Sequence, residues 1–151
     1  MSEDYLLETY RQLRTSQDKY VYFMLAAAAS AIAYALNRAQ DRILTLPLLP
    51  WGISILFWGL SFYFGCKHIA YVNSTIYANV ALLKVQNGSD PEIGSHPQYI
   101  AAASEGIKMA IEGNVKKANH LGKSQFVFFI IGVLAYIIWQ ILEMYIRSQI
   151  S

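Results

Sequence analysis

Charge is what this chain has least of. Acidic and basic residues make up 15% of it, where an ordinary soluble domain carries about a quarter. Three stretches have none at all: residues 20–37, 43–66 and 124–142, which are 18, 24 and 19 residues long. With no ionisable group inside them, these stretches argue against a proton relay, an ion pathway or an intramembrane catalytic site in simple form. A net charge of +2 without a basic stripe gives no reason to expect nucleic acid. The single cysteine, Cys66, excludes an internal disulfide and leaves the redox compartment unread.

The chemistry of enzymes is equally thin. His68, His96 and His120 do not stand at His-x-x-x-His spacing, and no Cys-x-x-Cys accompanies them, so no metal is expected. Ser104 and Glu105 have no convergent histidine for nucleophilic catalysis. Gly88 and Gly94 belong to a turn that lacks the lysine and the preceding strand of a phosphate-binding loop. The expectation is a protein without cofactor that is not an enzyme.

What the chain does have is apolar length. A helix needs about 20 apolar residues to cross the hydrocarbon of a bilayer, and each uncharged stretch approaches or exceeds that. The soluble alternative, a bundle with three fully buried helices, needs more polar surroundings than 151 residues supply. The fold class expected is therefore all-α: an integral membrane protein with three transmembrane helices, two of them extending into a cytoplasmic antiparallel helical hairpin. Ala33-Tyr34-Ala35 has the form of a leader cleavage site. The 19 residues before the first span are long for a leader and include Glu3, Asp4, Glu8 and Asp18, so the span is expected to stay.

The basic residues divide unevenly across three spans. Arg11, Arg14, Lys19, Lys67, Lys84, Lys108, Lys116, Lys117 and Lys123 fall on one side, and Arg38, Arg42 and Arg147 on the other. The positive-inside bias then puts the N-terminus in the cytoplasm and the C-terminus outside, in a membrane expected to be the bacterial inner one. Lys19, Lys67 and Lys123 mark the inner ends of the spans as interfacial anchors, and the same placement attracts anionic lipid. Trp51 and Trp139 fall near the outer ends, where amphipathic rings favour the interface.

Four parts follow along the chain. Residues 1–19 read as an N-terminal amphipathic cytoplasmic helix, with Ser2 as its cap and Leu6, Tyr10 and Leu13 on one face. Residues 20–66 form a transmembrane hairpin, with spans at 20–37 and about 47–66, joined by a tight turn from Arg38 to Arg42. Pro47 and Pro50 stand where the second helix begins. Residues 67–123 form the cytoplasmic hairpin, its arms given by Ile69, Val72, Ile76, Val80 and Leu83 and by Ile100, Ile107, Ile111, Val115 and Leu121. From Ile69 to Gln86 the first arm would extend about 27 Å. Its tip loop is 87–97, punctuated by Asn-Gly, Asp-Pro, Gly-Ser and His-Pro. Residues 124–151 hold the third span and a short external tail, with Glu143 and Arg147 spaced for an i,i+4 pair.

Two small-residue faces are the packing candidates. Ala27, Ala31 and Ala35 repeat every four residues in the first span. In the second, Gly52 and Gly59, Ser54 and Ser61 recur at seven, with Gly65 beyond. Lipid tails are as apolar as leucine, so helices in a bilayer associate by close approach, which small side chains permit. Such faces serve contacts within the chain, contacts between copies, or a pore lining. Gly106 and Gly113 weaken the returning arm by about 1 kcal/mol each relative to alanine, an expense that close approach of another helix would offset. At the tip, Asp90, Glu92 and His96 mix titratable groups on a loop and are the candidates for contact with a partner protein. His68 and His120 lie close to the inner boundary on antiparallel helices, where they read as interfacial polar residues or, less simply, as an approaching pair.

These features lead to a non-enzymatic, homo-oligomeric membrane protein that forms a pore or channel. The alternative is a membrane-anchored interaction subunit whose cytoplasmic hairpin docks a partner. The layout also resembles small membrane effectors of bacterial defence systems, in which a few spans carry a short helical sensor. That likeness is one of architecture and rests on no sequence motif.

Overall fold

The computed structural model describes residues 2–39 and 48–150. Three helices make up almost all of them: α1 (Ser2–Arg38), α2 (Leu49–Gln86) and α3 (Pro97–Ile150). No strand occurs among the described residues. All three helices are long and apolar enough to cross a membrane. At 37, 38 and 54 residues each also exceeds what a span of about 20 residues needs. A basic residue sits in the last turn of each, Arg38, Lys84 and Arg147, where it complements the negative end of the helix dipole.

The chain divides into two compact units. The first comprises Met1–Gly65 with Lys123–Ser151, and the second is Cys66–Gly122. In the first unit, α1 and the parts of α2 and α3 that belong to it pack in alternating direction. Val21, Met24, Ala28 and Ala35 form the buried stripe of α1, and Trp58 and Trp139 the bulky members of the core. The indole of Trp51 closes the end of α1. Ala39 N turns to Leu36 O (3.1 Å), and Trp51 Nε1 donates to the carbonyl of Ala35 at 3.0 Å, one of the last four carbonyls that a helix leaves for outside donors. Pro50 lies in the first turn of α2, where a missing N–H removes no intrahelical bond. The expected turn at Arg38–Arg42 and the start at Pro47 fall largely on residues 40–47, outside the described residues.

Where the sequence suggests a separate N-terminal helix, α1 continues through Lys19 without a break. Residues 11–20 are all exposed. Leu13, from the expected apolar face, is uncovered, and the side chains of Leu6 and Tyr10 lie outside those described.

The second unit is an antiparallel helical hairpin. Lys117 stands over the Tyr71 ring at 5.6 Å, and Asn114 Nδ2 donates to Ser74 Oγ at 3.1 Å. Two helices give each other only one seam, so Val85, Ala118 and Ser104 are buried while the remaining faces are half-buried or open. The turn is built from backbone bonds that end α2. Gly88 N reaches Val85 O and Ser89 N reaches Lys84 O, both at 3.0 Å, with Gly88 at φ 63°. This is the paired-bond cap in which the residue past the helix end adopts a left-handed conformation that favours glycine. Gly88→Ala is expected to lower the stability of the hairpin by about 1 kcal/mol, read as earlier loss of helical signal on heating. α3 then opens with Pro97 in its first turn, and His96 O accepts from Ile100 N at 3.0 Å.

Candidate functional site

The most ordered polar arrangement of the first unit lies in the seam where α2 meets α3. Ser61 is fully buried and donates to the backbone carbonyl of Gln125 at 2.8 Å. The Gln125 amide lies directly on Gly65. A Cβ there would meet Gln125 Nε2, with Gln125 Cδ at 2.8 Å and Leu25 Cδ2 of α1 at 2.7 Å, so all three helices converge at this glycine. Two turns earlier in α2 the relation reverses. The indole of Trp58 lies on Gly132 of α3, whose Cβ would stand 2.6 Å from Trp58 Cδ1 and 3.1 Å from the carbonyl oxygen of Ser54. Ser54 is buried and keeps its hydroxyl within its own helix, donating to Trp51 O at 2.6 Å. Phe128 stacks between Phe57 and Phe64 on one side, with ring centroids 5.5 and 5.1 Å away. Toward the other end of α3, Tyr136 joins Trp58 (5.6 Å), Trp139 (5.3 Å) and Tyr34 (6.3 Å), and its hydroxyl accepts from Gln140 Nε2 at 3.1 Å.

The small residues of α2 thus separate into two sets. Ser54, Ser61 and Gly65 face inward and are consumed by contacts within the chain. Gly52 and Gly59 are exposed, and a Cβ on either would meet nothing within 4 Å. On α1, Ala35 is fully buried, whereas Ala27 and Ala31 are half-buried and Ala28 sits at the contact in their place. Ala26, Ala29, Ser30 and Ala33 are exposed on its outer side. Lys19, Lys67 and Lys123 are all exposed.

In the second unit His68 and His120 are not brought together. His68 lies over Gly122, whose Cβ would stand 3.2 Å from Nδ1, and Nδ1 is 2.7 Å from Ala118 O. A carbonyl only accepts, so Nδ1 carries the proton and donates. Residues 118 and 122 share one face of α3, and residue 120 is rotated about 200° from 118. His120 is accordingly exposed on the opposite side. Gly106 and Gly113 also meet nothing within 4 Å, so none of the described residues supplies the close approach expected at them. At the tip, Asp90 Oδ1 accepts from Glu92 N at 3.0 Å, Gly94 N bonds Asp90 O at 3.0 Å, and the exposed His96 ring lies 5.1 Å from that of Tyr99. These contacts organise a turn. Among the described residues no three His, Cys, Asp or Glu side chains lie close enough to hold a metal ion.

Sequence reasoning missed Gln125, Trp58, Gly132 and Gly122. The available signal was Gln125 itself, a polar amide two residues inside Lys123, followed by the apolar run that begins at Phe126. No protein-family model, curated protein or solved structure matches this chain.

Proposed function

We propose that this chain is a non-enzymatic integral membrane protein that assembles with copies of itself through the outward small-residue faces of α2 and α1. The carrying observation is the open pair Gly52 and Gly59, which meet nothing within 4 Å. Each weakens its helix by about 1 kcal/mol relative to alanine, and no contact among the described residues offsets that. Close approach of a second helix in lipid does. Because Ser54 and Ser61 are buried in the protomer, they do not line a lumen, and a pore in this reading lies between copies. The membrane is a bacterial inner one, with the N-terminus and the hairpin of residues 67–123 in the cytoplasm, on the strength of the basic-residue bias.

The test is the mass of the detergent-solubilised complex for the native chain and for Gly52→Leu/Gly59→Leu. The native protein should be an oligomer, and the double variant a monomer whose thermal unfolding is unchanged or raised, since a Cβ at either position meets nothing within 4 Å among the described residues. A native protein that is monomeric both in mild detergent and after cross-linking in its membrane removes the proposal. For conduction, reconstituted oligomer should raise bilayer conductance, and a flat current from inserted oligomer excludes the pore while leaving self-assembly standing.

The docking-subunit reading is favoured by a different observation. The hairpin leaves Tyr77 77% exposed, Tyr99 65% and Met109 63%, and its tip carries Asp90, Glu92 and His96. In that case Tyr77→Ser should reduce capture of a partner protein while the mass of the complex between copies stays the same. A defence-type effector would combine the two readings, the hairpin sensing and the spans acting.

A further inference from the structure

The seam of the first unit holds two buried hydrogen-bond donors that find no acceptor among the described residues. Trp58 is 4% exposed and Gln125 1%, and neither Trp58 Nε1 nor Gln125 Nε2 finds a partner among the described residues. Both atoms point into the small-residue seam: Nε2 of Gln125 toward Gly65, Nε1 of Trp58 toward Gly132 at 2.7 Å from the Cβ position. Residues 58 and 65 are about 10 Å apart along α2. Ser61 lies between them on the same face, its proton given to Gln125 O and its lone pairs still able to accept. The row therefore reads donor, acceptor, donor.

In hydrocarbon there is no bulk solvent to satisfy such groups, and a buried N–H left unpaired there is costly. The chemistry of the row selects what would answer it. A cation finds no carboxylate in the seam. An anion would have to be buried against three neutral side chains with no countercharge, which is far more costly than the unmet donors themselves. Water is neutral, accepts from an N–H and donates to a hydroxyl. We propose that the α2–α3 seam is a hydration site, with water bridging Gln125 Nε2, Ser61 Oγ and Trp58 Nε1. The water enters from the Gln125 end, which lies two residues from the exposed Lys123. Glycines at 65 and 132 bring the amide and the indole directly onto the facing backbone, so that each unmet donor lies within the seam itself. The proposal concerns each protomer and holds whether or not copies assemble.

The experiment is magnetisation transfer from water to side-chain N–H groups in the full-length protein, labelled at indole and glutamine nitrogens and held in lipid bilayers. Both the Trp58 indole and the Gln125 amide should receive transfer, and Gln125→Met, close in volume, should reduce the Trp58 signal several-fold by closing the entry. Absence of transfer at both groups in the native protein overturns the proposal outright, and that arm needs no variant to fold. Transfer to Trp58 that survives undiminished in folded Gln125→Met overturns the bridged row. Shifts of both signals on exchanging sulfate for chloride would identify a bound anion and overturn water as the occupant.

Discussion

Gly132→Ala is expected to destabilise the first unit, because overpacking a closed core costs about 1–3 kcal/mol. One added methyl would stand 2.6 Å from Trp58 Cδ1, 2.7 Å from Nε1 and 3.1 Å from the backbone oxygen of Ser54. An indole cannot fold out of the way as a flexible chain end does. Trp58 is also held by Tyr136 at 5.6 Å, and Ser54 O moves only if α2 moves. Alanine opposes this with about 1 kcal/mol of better helix propensity, so the steric term must exceed that for the net sign to be negative. Gly106→Ala, on the same helix, isolates the propensity term, because a Cβ there meets nothing within 4 Å. It should stabilise by up to about 1 kcal/mol. The same chemical change thus yields opposite signs at two positions of α3. Unfolding in mixed micelles, followed by helical signal, measures both. Equal stability of the two variants would show that the seam at Trp58 is looser than its geometry states.

Much of this architecture could be read from charge and periodicity. Three uncharged runs became three helices, and the cluster of Asn-Gly, Asp-Pro and His-Pro became the turn between α2 and α3. The Glu143–Arg147 spacing became an ion pair at 2.7 Å. What periodicity does not carry is direction. Gly52 and Gly59 recur at seven residues, and so do Ser54 and Ser61. The interval says that each pair shares a face, not which face meets a neighbour. Only the fold separates the open glycines from the buried serines. The same limit applies to the alanines of α1, where the contact centres on Ala28 and Ala35 because four-residue and seven-residue repeats diverge around the helix. Gln125 was hidden for another reason. A search for charge passes over a neutral amide, although a buried amide also needs a partner. The glycines under Trp58, Gln125 and His68 were hidden because a seat is defined by its occupant, which lies on another helix.

The largest effect is expected from side-selective labelling, since the outcome is nearly all or none. In a Cys66→Ser background, a membrane-impermeant maleimide should reach Ser148→Cys, near the end of α3, only from outside the cell. It should reach Ser95→Cys, in the turn between α2 and α3, only from the cytoplasmic face of inverted vesicles. Both positions are exposed, so reactivity reports the side of the membrane rather than burial. The physical basis is the split of basic residues, nine against three. Moving a positive charge outward against the membrane potential costs about 2.3 kcal/mol per 100 mV, and anionic inner-leaflet lipid contributes about 1 kcal/mol for each nearby lysine or arginine. Both terms act in the same direction on Lys19, Lys67 and Lys123, which all sit on the side with the larger count. Labelling with the sides exchanged would mean that the basic bias does not govern insertion here. Labelling of both cysteines from the same side would mean that α3 does not cross the membrane, and the outward faces assigned to contacts between copies would then need another solvent.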